Sequence, residues 1–229
     1  MYWDWTYILV LIGMVLSLAA SAKVRSTYAK YQKVRSLSGL TGAVAAERIL
    51  HSNGIYDVAI ELVDGELTDH YDSRNKVLRL SESVYDSTSV AAVGVAAHEC
   101  GHAIQHARAY LPLKLRTAIV PAANIGAGLS WPLILVGLMI GSRSSNFFIT
   151  AGILLFSLSV LFQLVTLPVE LNASNRAVRA LADMGILYGD EVKGTRKVLS
   201  AAALTYVAAA AASVLQLLRL LLLFGRRDD

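Results

Sequence analysis

The chain has 229 residues, of which 55% are hydrophobic and only 17% charged, with a net charge of +4 and a mean hydropathy of +0.51. Soluble domains carry nearer a quarter of charged residues, so this balance excludes an ordinary water-soluble protein and leaves room for only a small water-facing part. The basic excess does not mark a nucleic-acid binder, because the lysines and arginines cluster beside apolar runs, where they set membrane orientation.

Read in chain order, residues 5–22 form the first apolar segment. Acidic Asp4 stands where a signal peptide would be basic, and Lys23 and Arg25 follow directly, so a retained anchor is expected. Residues 41–54 read as a helix with Thr41 as N-cap and Gly54 as stop. Two strands follow: "DVAIEL" (57–62), ending at a turn near Asp64-Gly65, and "KVLRLS" (76–81), after the turn-prone "YDSRN". Ser87, Thr88 or Ser89 caps the next helix, which should end near Pro112. Residues 117–141, with Pro121, Asn124 and Pro132 inside, and residues 146–167 are apolar. Only "GSRSSN" lies between them, which predicts a tight transmembrane hairpin. Pro168 suits the first turn of a new helix. The last apolar segment, 198–224, is alanine-rich at first and interrupted by Gln216 and Arg219. Small residues permit close helix packing, and intramembrane polar groups should face protein.

Five basic residues, Lys23, Arg25, Lys30, Lys33 and Arg35, follow the first segment. Arg176, Arg179, Lys193, Arg196 and Lys197 follow the third, whereas the hairpin tip has only Arg143. The positive-inside rule puts both basic regions in the cytoplasm, and the N-terminus and tip outside. If the fourth segment spans, "GRRDD" ends outside against its own arginines. The alternative is a helix packed at the surface.

Three of the five histidines fall in "AAVGVAAHECGHAIQH" (91–106). His98 and His102 are four residues apart, so on a helix they share a face about one turn apart. With Glu99 they make H-E-x-x-H, two metal ligands and the general base of a zinc metalloprotease. The alternative is two satisfied histidines and a surface glutamate. The flanking sequence is too apolar for a solvated face, and burying these groups unpaired is costly. The single cysteine, Cys100, cannot form an internal disulfide, and it is turned about 200° from either histidine, as a packing residue would be. His106, a turn beyond His102, fits a supporting or structural role better than direct ligation. Arg108 occupies the position where a longer motif would place a third histidine. The third ligand is therefore sought elsewhere, and Glu170 is the candidate. The hairpin returns it to the membrane face that holds His98 and His102. The alternative for Glu170 is an acid favoured by a helix N-terminus. Asn172 and Asn175 are either supporting donors or plain helix polars. The oxyanion donor is sought among Tyr206, His70 and Tyr71, and "KVLRLS" is read as an edge strand for an extended substrate.

"LTDHYDSRNKVLRLSESVYDSTSVAAVGVAAHECGHAIQH", "LPVELNASNRA" and "AALTYVAAA" resemble the YugP-type zinc membrane neutral metallopeptidases over nearly the whole chain. That family is similar to the wider glutamate-zincins, including membrane proteases of the HtpX type. The resemblance implies Zn²⁺ held by His98, His102 and Glu170, with Glu99 catalytic. It departs from the HtpX pattern at Ser174, where an aspartate is usual, and Ser73 stands where many relatives have proline. Asn172 or Asn175 is expected to take over from the missing aspartate.

The expected fold is mainly α and integral to the membrane: a helical transmembrane bundle with a small α+β zincin-like domain at the membrane surface. Its expected parts are an anchor (1–22), the zincin-like domain with the HExxH helix (23–116), the hairpin (117–167), a glutamate-bearing helical region (168–197) and a C-terminal apolar helix (198–229). The expected function is zinc-dependent endopeptidase activity on polypeptides, membrane proteins or their fragments among them, in the bacterial plasma membrane with the site facing the cytoplasm. The alternative is a zinc-containing membrane scaffold or chaperone without turnover. Lipid bilayer is an expected partner and nucleic acid is not; the oligomeric state is not legible.

Overall fold

The computed structural model describes residues 4–140 and 145–225. The elements run α1 (Tyr7–Tyr31), α2 (Gly42–Ser52), β1 (Ala59–Val63), β2 (His70–Asp72), β3 (Val77–Ser81), α3 (Glu82–Tyr85), α4 (Val90–Ala107), α5 (Leu111–Ile140), α6 (Ser145–Asp183) and α7 (Asp190–Phe224). The molecule is mainly helical, and α1, α5, α6 and α7 are each long and apolar enough to cross a membrane. The chain divides into two units, one drawn from residues 1–20, 115–167 and 205–229 and one from residues 21–114 and 168–204.

In the first unit, α5 and α6 lie antiparallel through backbone contacts at small residues. A Cβ on Gly126 would lie 2.4 Å from the Leu155 carbonyl oxygen, and one on Gly152 would lie 2.8 Å from that of Ser130. Close approach at small residues drives helix association in lipid. Ser145 Oγ donates to the Gly137 carbonyl at 2.6 Å, which closes the hairpin near its tip. The tip, with Arg143, and the terminal arginines fall at 141–144 and 226–229, outside the described residues. The fourth apolar segment is half of a pair. Asp4 meets Arg219 at 3.9 Å, and Gly13 abuts Ala212, so α7 runs antiparallel to α1. Arg219 also lies 4.3 Å from the Tyr7 ring centroid. A cation in an apolar helix is tolerable when it faces protein in this way.

The second unit holds a hydrophobic core of its own. Thr41 caps α2, accepting from the Val44 amide at 3.3 Å, and Gly54 takes φ +74° just beyond it. Strand order is β1-β3-β2, with β1 parallel and β2 antiparallel to β3. "KVLRLS" is therefore the central strand and not an edge; Leu78 and Leu80 are fully buried, with Ile49, Leu50, Val84 and Val90 in the same core. The third strand, β2, was hidden in the turn-prone stretch. The turn itself is present, since Asp72 accepts from the Arg74 and Asn75 amides at 2.9 and 3.2 Å. However, three residues are too few to show an alternating pattern.

Two helix boundaries differ from expectation. The HExxH helix stops at Ala107, and Pro112 belongs to the first turn of α5. Pro168 does not begin a helix, because α6 is continuous from Ser145 to Asp183 with Pro168 inside it. Proline removes one helical hydrogen bond, a loss that does not break this 39-residue helix.

Candidate metal centre

Ser89 caps α4, its hydroxyl accepting from the Ala92 amide at 3.2 Å. The helix then carries thirteen buried residues, and its His98 and His102 rings sit edge to face with centroids 4.8 Å apart. Glu170 reaches them from α6. Its Oε2 lies 3.3 Å from His98 Nε2 and 3.5 Å from His102 Nε2. One ligating atom from each of the three side chains falls within 4.8 Å of the others, and the Glu170 side chain is only 4% exposed.

The approach of α6 depends on Gly101. A Cβ there would lie 2.6 Å from the Ala173 carbonyl oxygen, closer than real Cβ contacts allow. A glycine inside a buried helix costs about 1 kcal/mol against alanine. That cost was the available sign of a close backbone contact, and the motif reading passed over it.

The outward nitrogens of both imidazoles are engaged. Ser174 Oγ lies 3.1 Å from His98 Nδ1, and Gln105 Oε1 lies 3.1 Å from His102 Nδ1. Gln105 is fully buried and its Nε2 donates to the Val169 carbonyl at 2.8 Å and to Asn172 Oδ1 at 3.1 Å. A backbone carbonyl only accepts, so the amide nitrogen must face Val169 and the amide oxygen must face His102. That oxygen accepts the proton on His102 Nδ1, which leaves Nε2 with its lone pair toward Glu170. Two acceptors then face each other in a buried space, an arrangement that calls for a proton or a cation between them. Burial disfavours a charged His102, but Glu170, Glu99 and Gln105 outweigh it and raise its pKa. Two imidazoles and a carboxylate are an ordinary zinc donor set, and metal-ligating histidines hold their second nitrogen in this way. The residues therefore fit a zinc ion.

Glu99 is buried beside this cluster and not part of it. Its Oε2 accepts from the Tyr71 backbone N–H at 3.0 Å, so β2 holds the carboxylate in place. Burial pushes its pKa up; His98 and His102 pull it down, and Glu170 and Asp69 push it up again, for a net rise. Asp69 is held by the Ser81 amide at 2.8 Å.

The remaining sequence candidates separate. Cys100 is buried with its thiol 3.5 Å from the Ala46 carbonyl, and burial keeps that thiol protonated. His106 is outside the three-residue cluster and bonds the Tyr71 hydroxyl at 2.9 Å. His70 is exposed, its ring 2.8 Å from the Thr68 carbonyl. Tyr206 is half-buried on α7, in the first unit, whereas the cluster lies in the second. Asn172 supports the centre through Gln105 and also accepts from Arg176 Nε at 2.7 Å; Asn175 is exposed. Ser174 itself, not Asn172 or Asn175, stands beside His98 where the HtpX-type aspartate was missed. Ser174 and Gln105 gave no sequence signal as partners, because i+3 and cross-helix polar contacts have no motif of their own.

A buried His-His-Glu donor set with a separate carboxylate beside it, in a chain with four apolar helices, defines the class of membrane zinc metallopeptidases. The comparisons agree. The family model described as "Putative neutral zinc metallopeptidase" matches residues 6–225, and the chain belongs to this family. It is 50% identical over 222 residues to the "Putative membrane protease YugP" of Bacillus subtilis (strain 168), covering 96% of this chain and 97% of that protein. No solved structure matches.

Proposed function

We propose that the chain is a zinc-dependent membrane endopeptidase in which His98, His102 and Glu170 hold the ion and Glu99 is the general base. The observation that carries this reading is the buried Glu99 carboxylate, held by the Tyr71 amide beside three ligands that do not include it. Zinc, when bound, lowers the pKa of a water and polarises a carbonyl. Glu99 takes the proton from the attacking water. Because Oε2 is engaged by Tyr71 N–H, the proton goes to Oε1. The raised proton affinity of Glu99 suits a group that must hold this proton and then deliver it to the leaving amine. Ser174 and Gln105, by engaging both Nδ1 atoms, leave both Nε2 atoms turned toward Glu170, where they would hold the ion. The substrates are polypeptides reached at the membrane surface. The small α+β zincin-like part faces the cytoplasm of a bacterial plasma membrane, where the basic residues flanking the first and third apolar segments lie.

Glu99→Gln tests the reading. It preserves size and removes the proton acceptor. Zinc content should stay at one per chain, while hydrolysis of unfolded or membrane-derived polypeptides in detergent should fall by about 10²–10⁴-fold. Equal cleavage by both proteins would overturn the mechanism. No cleavage by zinc-loaded wild type across such a panel would favour the scaffold.

A further inference from the structure

The second unit contains a cavity of about 910 Å³ that shares no residue with the metal centre. Five cations line it: Lys23 and Lys30 from α1, and Lys193, Arg196 and Lys197 from α7. No carboxylate is among its lining residues, and at its rim Asp190 pairs with Lys193 at 2.8 Å and also attracts Lys197. The cavity is built rather than incidental. Gly194 has no side chain where a Cβ would lie 2.6 Å from Tyr31 Cε1, so α7 can seat against the Tyr31 ring at the cavity wall.

Its place along both helices matters. Lys23 directly follows the apolar run 5–22, and Lys197 directly precedes the run that begins at Val198. Cations one residue outside a membrane span lie at the headgroup level. Topology signalling needs basic residues near a span, but it does not need two helices some 160 residues apart in sequence to converge on one cleft. From this we infer that the cleft binds the phosphate headgroup of an anionic phospholipid, with the lysines and Arg196 as the anion's partners. This site is independent of the peptidase reading.

The test is native mass spectrometry of the full-length protein in detergent, supplied with dioleoylphosphatidylglycerol, dioleoylphosphatidylcholine or inorganic phosphate. Wild type should retain phosphatidylglycerol and release phosphatidylcholine. The K30Q/R196Q/K197Q variant should retain phosphatidylglycerol about 10-fold less, with unchanged zinc content, in keeping with loss of cations at an anionic headgroup. Equal retention by the variant, or equal retention of phosphatidylcholine, would overturn the site. Displacement by inorganic phosphate at equimolar concentration would overturn the lipid assignment in favour of a soluble anion. If the variant does not fold, photoactivatable phosphatidylglycerol on wild type decides: crosslinks should fall within residues 23–31 and 193–204, and crosslinks confined elsewhere would refute the proposal.

Discussion

Single side chains at the metal centre have separable jobs. Glu170→Gln keeps the volume but weakens a buried ligand, so zinc affinity should fall by more than the roughly 10–100-fold typical of supporting residues. Metal analysis after dialysis against a graded chelator reads this directly, and unchanged affinity would remove Glu170 from the ligands. Ser174→Ala and Gln105→Leu touch no ion and should each cost about 10–100-fold in affinity, because each frees an imidazole to turn. The pH dependence follows from His102. Its pKa is raised in the metal-free protein, so protons compete with zinc at a higher pH than for an ordinary histidine. Zinc affinity should be at its plateau well above that pKa and fall as pH drops through it. Gln105→Leu removes one of the groups that raise the pKa, so its affinity, lower at the plateau, should begin to fall at a lower pH than that of the wild type. Measuring zinc affinity against pH for the two proteins checks the sign.

Between elements, the decisive contact is α4 against α6 at Gly101. Alanine is the better helix former by about 1 kcal/mol, so intrinsic propensity predicts that Gly101→Ala stabilises. The packing predicts the reverse. The new methyl would meet the Ala173 carbonyl at 2.6 Å, and α6 must shift outward with Glu170 three residues earlier on it. Overpacking of this kind costs about 1–3 kcal/mol. The variant should melt lower and bind zinc more weakly, while far-ultraviolet circular dichroism stays helical. A higher melting temperature with full zinc would show that the two helices do not need this contact. A second packing relation, α1 with α7, explains why Arg219 is tolerated in an apolar helix: Asp4 and the Tyr7 ring receive it.

For the whole molecule, the four apolar helices make the chain an integral membrane protein, and the charge distribution predicts its orientation. Cysteines placed at Ser144, in the hairpin tip, and at Arg179, beyond the glutamate, should be labelled from opposite sides of the membrane by an impermeant reagent on a Cys100→Ser background. Labelling from one side would break the proposed cytoplasmic site. Much of this protein is written locally. Apolar runs longer than a bilayer is thick, a Thr41 cap and four-residue histidine spacing on a helix are each set within a few neighbouring residues, so sequence periodicity is enough to read them. Even Glu170 was reachable, because a two-pass hairpin must return the chain to the face it left. Contacts between distant segments were not legible. β2 exists only because three residues pair with β3, the order β1-β3-β2 puts "KVLRLS" at the centre, and α6 runs on through Pro168. Glu99 gains its raised proton affinity from burial and from Glu170 and Asp69, neither of them local. The sequence by itself singled out the three side chains, His98, His102 and Glu170, that the fold brings together. Only the tertiary structure decided which nitrogen of each histidine faces Glu170, because that choice belongs to Ser174, which reaches His98 from α6, and to Gln105, whose amide is oriented by Val169 and Asn172 only once α4 and α6 have packed.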